Sequence, residues 1–197
     1  RALRIEERKT EQAHFVLGYP ALNRHDPDRH MLSLLSVILG GTMSSRLFSE
    51  VREKRGLCYY VHSDTEFFHD VGLFGASAGV DPKRVEEAVQ VTVDEFRALA
   101  DGRKPVTAEE LQRAKDNISG KFVLDLEDSE SVAQYVGMRQ LLQGTIESPE
   151  ALLKKYQAVE LSQIQALAER LLKDQVPRFA VVGPFNDSSM FERAIGL

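Results

Sequence analysis

The feature that most restricts the fold is a change of apolar period at Gly56. Before it, within residues 44–55, Leu47, Phe48 and Val51 recur at helical spacing. After it, Leu57, Tyr59 and Val61 alternate with Cys58, Tyr60 and His62. A helix therefore stops at a glycine C-cap and runs straight into a strand. A second strand over residues 71–80 follows through His69-Asp70, so the two read as an antiparallel pair. Upstream, Leu3 and Ile5, then Ala13, Phe15 and Leu17, alternate on either side of a polar, turn-like stretch at residues 8–12, and read as two neighbouring strands. Residues 178–182 make a last strand, closed by Gly183-Pro184.

Helices fill the rest in runs. Asp26-Pro27 supplies an N-cap and a proline at the first helical position of a helix that is apolar almost all round, from Met31 to the stop at Gly40-Gly41. Asp81-Pro82 caps the next, where Val85, Ala88, Val89, Val93 and Phe96 keep helical spacing. Thr107 with Glu110 is a capping box for a long helix reaching roughly Leu126. Residues 129–143 read as helical, and Ser148-Pro149 and Ser162 with Gln165 start two more. Paired strands and runs of helices predict an α+β two-layer sandwich, not a doubly wound parallel sheet.

The 197 residues carry 25 Lys+Arg against 30 Asp+Glu, a net charge of -5, which argues against a nucleic-acid surface as the main business of the chain. A single Cys, Cys58, excludes a disulfide framework and a Cys-rich zinc finger, and no chemical role is assigned to it. The longest apolar run, residues 31–39, is interrupted by Ser33 and Ser36 and is far short of the ~18–20 residues of a membrane span. No linker or internal repeat divides the chain, so residues 1–197 are expected to form one domain. The first residue is Arg1, not Met, already in a strand, and the chain reads as a piece of something longer.

The chemistry-bearing patterns are few. No H-x-x-E-H motif or its inverse occurs among the five His. His25 and His30 straddle the Asp26-Pro27 turn and do not share a helix face. His62 and His69 have Asp64, Glu66 and Asp70 nearby, but plain surface histidines are the simpler reading. Gly72, Gly75 and Gly79 lie in a strand, not in a strand-to-helix turn, and suit sheet packing better than a phosphate cradle. No G-x-S-x-G elbow is present. What remains is Arg52, in the last turn before Gly56, and Tyr59, a few residues into the strand beyond. The reversal at Gly56 can bring a guanidinium and a phenol to one cleft, as donors to a substrate carbonyl. The competing reading makes Arg52 a solvated helix residue and Tyr59 a core ring.

The segment Leu39-Gly40-Gly41-Thr42-Met43-Ser44-Ser45-Arg46-Leu47-Phe48, continuing through Val51-Arg52-Glu53-Lys54-Arg55-Gly56-Leu57-Cys58-Tyr59, resembles the C-terminal, zinc-lacking half-domain of pitrilysin/insulinase-type zinc metallopeptidases. Within that family it is similar to bacterial members of the mitochondrial processing peptidase-like type. Further marks are residues 9–14 with Gly18, Asp70-x-Gly72-Leu73-Phe74, Glu109-Glu110-Leu111-x-x-Ala114-Lys115 and Val181-Val182-Gly183-Pro184, so the likeness covers nearly the whole chain in order.

The resemblance implies an antiparallel sheet covered on one face by helices. In that family two homologous halves enclose a chamber. One half carries the zinc, and the other supplies an Arg and a Tyr with Arg-x6-Tyr spacing, which Arg52 and Tyr59 match. Ser45, Arg46 and Phe48 match the motif as structural positions. By the same analogy the chain itself holds no metal or cofactor and is inactive alone. Zn is expected on the complementary half, in the same chain or in a partner subunit of a homodimer or heterodimer, with an extended peptide as substrate. The alternative is a non-catalytic assembly subunit of the same fold. The analogy favours the periplasm, with the cytoplasm the other reading.

Overall fold

The computed structural model describes residues 2–197. The expectation that the chain is already in a strand at Arg1 falls outside these residues; the first strand, β1, spans Leu3–Glu7. The other strands are β2 (Ala13–Ala21), β3 (Cys58–Phe67), β4 (Gly72–Val80) and β5 (Arg178–Gly183). They form one five-stranded sheet in the order β1-β5-β2-β4-β3. The β2, β3, β4 and β5 ladders are antiparallel, and β1 joins β5 in parallel.

This corrects one detail of the strand reading. β1 and β2 are not neighbours, because the final strand inserts between them, with Leu3 opposite Phe179 and Phe15 opposite Val181. The short polar connection allows an adjacent hairpin as readily as a gap one strand wide. Only the long-range partner decides between them, and its carbonyl at Gly183 takes the Arg8 N–H at 2.8 Å.

Seven α-helices are α1 (Arg29–Ser36), α2 (Val85–Ala100), α3 (Ala108–Asp125), α4 (Ser129–Gln143), α5 (Pro149–Gln157), α6 (Leu161–Leu172) and α7 (Ser189–Ile195). They cover one face of the sheet. Phe15, Leu17, Tyr19, Phe74, Ala76, Ala78, Phe179 and Val181 point into the core, where Phe96 of α2 packs 5.2 Å from both Tyr19 and Phe74. On the opposite face His14, Val16 and His62 are exposed. The result is an α+β two-layer sandwich.

Local chemistry explains most helix starts. Thr107 and Glu110 form the reciprocal capping box at α3, Asp128 caps α4 through Ser131 N–H, and Ser148 precedes Pro149 at α5. Three starts differ from the sequence expectation. Asp81 caps a short 3-10 turn, Pro82–Arg84, and α2 itself begins at Val85. α1 begins at Arg29, because the Asp26 carboxylate is used in a turn to Asp28 N–H. α6 is boxed by Glu160 and Gln163 instead of Ser162 and Gln165. Gln165 instead donates to Leu99 O at 2.8 Å and accepts from Val106 N–H, tying α6 to the end of α2. α7, absent from the sequence reading, buries Phe191 and Ile195 against the core.

Candidate functional site

After α1 the helix widens into a π turn, Val37–Gly41, which brings Gly40 so close to β3 that a Cβ there would run into the Ser63 backbone nitrogen. Ser63 Oγ in turn donates to Ser36 O at 2.6 Å. The chain extends at Thr42, whose carbonyl accepts from both Ser45 N–H (3.1 Å) and Ser45 Oγ (2.5 Å), restarting the helix. Arg46 then donates to both Glu110 oxygens, at 2.7 and 2.8 Å, and to the carbonyls of Lys104 and Pro105, at 2.6 and 2.8 Å. This bidentate, mostly buried pair clamps the start of α3 onto the junction. Burial pushes the Glu110 carboxyl up, but the bonds from Arg46 and Thr107 outweigh it and hold it below the usual value.

A second π turn, Phe48–Glu53, carries Arg52, and Lys54 N–H reaches back five residues to Ser49 O at 2.9 Å. Such turns concentrate at functional sites. Gly56, at φ +60, ends the segment, returning its N–H to Arg52 O at 3.0 Å. The charges here are sorted by Glu50. Its carboxylate takes Lys54 Nζ and Arg55 Nη1, each at 2.6 Å, and these bonds hold it at about 2. Among the described residues no carboxylate lies within ion-pair distance of Arg52. Its guanidinium sits 5.4 Å from the Phe48 ring centroid and donates to the main-chain carbonyl of Tyr59.

The junction thus brings Arg52 to Tyr59, though through the backbone and not side by side with the phenol. Tyr59 is not a core ring: it is 53% exposed, between buried Leu57 and Val61. The pairing of β3 with β4 slips between Cys58 and Tyr60, and this bulge removes Tyr59 from the alternation that assigned it to the face of Leu57 and Val61. Burial raises the Cys58 thiol above its ordinary value against the opposing charge of Arg52, so this thiol is protonated at neutral pH and a poor nucleophile.

Along the rest of β3, Tyr60 stacks on His14 with its hydroxyl 3.1 Å from Nδ1, and His62 stacks on Tyr60. His62 Nε2 lies 3.0 Å from Ser77 Oγ and 3.0 Å from Asp64 Oδ2. Both partners use the same nitrogen, so this is not a Ser-His-Asp relay, in which the acid orients the other one. The Nδ1 of His69 pairs instead with the Nε2 of His25, at 3.1 Å. His62 and His69 therefore do not converge. Among the described residues no three His, Cys, Asp or Glu side chains are grouped to hold an ion, and a catalytic zinc needs three. Between the middle of β3 and α3 runs a groove of about 570 Å³, bordered by Gly40, Ser63, Thr65, Asn117, Lys121 and Tyr156.

Residues 1–118 match the family model described as the peptidase M16 inactive domain. The chain belongs to the M16 peptidase family. It is 41% identical over 180 residues to an uncharacterized zinc protease of Streptomyces coelicolor, covering 91% of this chain and 39% of that protein. It is 24% identical over 193 residues to mitochondrial-processing peptidase subunit alpha of Pongo abelii, covering 92% and 36%. The crystal structure of the peptidase M16 inactive domain from Pseudomonas fluorescens matches with a TM-score of 0.83 at 25% identity, over 93% of this chain and 43% of that one. The M16 chain described here is thus an inactive half-domain, and it spans about two-fifths of the length of the curated relatives it matches.

Proposed function

We propose that this M16 domain is the zinc-free half of a metalloendopeptidase, which binds extended peptide and supplies Arg52 and Tyr59 to a reaction centred on zinc in the complementary half or a partner subunit. The observation that carries the reading is the pairing at the junction. Arg52 is kept clear of the local carboxylates, because Glu50 engages Lys54 and Arg55, and it is bonded to the main chain of a half-exposed Tyr59. Arg52 on the glycine-capped π turn and Tyr59 on the strand that leaves it offer two donors to a substrate carbonyl and the oxyanion that develops from it. The groove beside β3 gives an extended chain room to continue along the same strand. The zinc, when bound on the other half, supplies an activated water.

The test is hydrolysis of an unstructured peptide by the complete protein, with its zinc-bearing half present. Tyr59→Phe and Arg52→Ala are each expected to lower turnover about 100-fold or more, the usual loss for one oxyanion donor. Full turnover in both variants overturns the role and leaves the chain as a non-catalytic assembly subunit.

A further inference from the structure

Apolar exposure is concentrated in one place. Among the described residues seventeen large hydrophobic side chains are exposed, and eight of them fall between residues 123 and 146, about an eighth of the chain. Five belong to α4: Val132, Val136, Met138, Leu141 and Leu142, with Leu141 81% exposed. No residue of this fifteen-residue helix is buried. Val132 and Val136 lie on one side of α4 and Leu141 nearly opposite, so turning one polar face to water cannot account for them. A helix apolar on several sides is a helix that is covered. Its anchorage here is slight: Tyr135 packs 5.4 Å from Phe122, and its hydroxyl donates to Glu147 O at 2.8 Å.

We infer that the α3–α4 hairpin is the seat of a permanent interface, and that its occupant is the complementary half of the same peptidase, presenting an apolar surface to Val136, Met138, Leu141 and Leu142. This rests on the reading above that such a half exists. The relatives are more than twice as long as this chain, so a body of comparable size is available to cover the helix. Permanent interfaces are the apolar ones, resembling a core cut in two. A lipid surface fits poorly, because α4 opens with Glu127, Asp128 and Glu130, which anionic headgroups repel.

The experiment places a photo-crosslinking amino acid at Leu141, and separately at Met138, in the complete protein with its zinc-bearing half. Crosslinked peptides are then identified by mass spectrometry. Both positions are exposed here, so neither insertion disturbs the fold of this domain. The expected result is crosslinks to residues of the complementary half, with Leu141→Glu/Leu142→Glu raising amide exchange in α4 at least tenfold. Crosslinks only to a second copy of this hairpin, only to lipid, or to nothing overturn the assignment. The same crosslinks in an Arg52→Ala background keep this inference separate from the role of Arg52 and Tyr59, since either can fail while the other stands.

Discussion

Residues 44–63 and residues 123–146 are stretches of similar length, each with a helical segment and many apolar side chains, and they end in opposite states. In the first, Leu47, Val51, Leu57 and Val61 are buried, and the polar groups around them find partners within the domain: Ser45 with Thr42, Arg46 with Glu110, Lys54 and Arg55 with Glu50. In the second, the helix is well capped by Asp128 and by Gly144 in the left-handed conformation, yet it buries nothing. Capping and propensity are satisfied locally, so both helices form. Burial needs an opposing surface, which the sheet gives to the junction and which, apart from Phe122 against Tyr135, the described residues do not give to α4. The junction is complete as it stands, and the hairpin is half of something.

The largest expected effect attacks the completeness of the junction. Arg46→Ala leaves the largely buried Glu110 carboxylate with only its bonds from Thr107, and about 3 kcal/mol of stability is expected to be lost, read as a lower denaturant midpoint. A loss under 1 kcal/mol would show that the clamp is dispensable and the contrast with the hairpin overdrawn.

A comparable effect is expected from acid. His30 of α1 is buried against Tyr156 of α5, and burial, with Arg29 and Lys155 adding to it, lowers its pKa to about 4 from 6.5. The neutral imidazole is therefore the folded form. Stability is full above pH 6.5 and falls as the pH drops toward 4, because the unfolded chain takes up the proton first. The loss amounts to about 3 kcal/mol. His30→Gln should flatten the curve over that window; an unchanged pH profile would assign the acid sensitivity to carboxylates instead.

Next comes chemistry without stability. Tyr59→Phe should reduce peptide hydrolysis by the complete protein about 100-fold, equivalent to about 2.7 kcal/mol in the barrier, with the melting temperature unmoved because the ring is exposed. A shifted melting temperature with unchanged turnover would reverse the assignment. The smallest effect sharpens the other side of the comparison. Leu141→Ser should change the stability of this chain by about 0.5 kcal/mol or less, and that of the complete protein by more. Equal small effects in both would mean that α4 stays in water.

Much of this was legible from residues alone. Thr107 and Glu110, Ser148-Pro149 and Gly56 are local signals that need only a few neighbours in sequence, and each stands where it was read. The β3–β4 hairpin and the buried helix before Gly40 were legible for the same reason. Signals that had to compete failed. Ser162 with Gln165 is a valid capping box, but Glu160 with Gln163 forms one two residues earlier, and the Gln165 amide is worth more bridging α6 to Leu99 and Val106. At the candidate site the spacing of Arg52 and Tyr59 was visible, whereas the bonding of the guanidinium to a carbonyl was not. Periodicity alone assigned Tyr59 to the buried face, and one extra residue in a ladder reverses that.

Sequence by itself determined most of the strands and helices, the layer pattern and the Arg-x6-Tyr spacing, because these depend on period, capping and short separations along the chain. Tertiary structure decided that β5 lies between β1 and β2, that two π turns carry the junction, that Tyr59 faces water, that His62 and His69 part company, and that α4 is left uncovered. Each of these is set by which distant surfaces are available to pair or bury a segment. A pattern read along one chain carries no record of that choice until the chain has closed on itself.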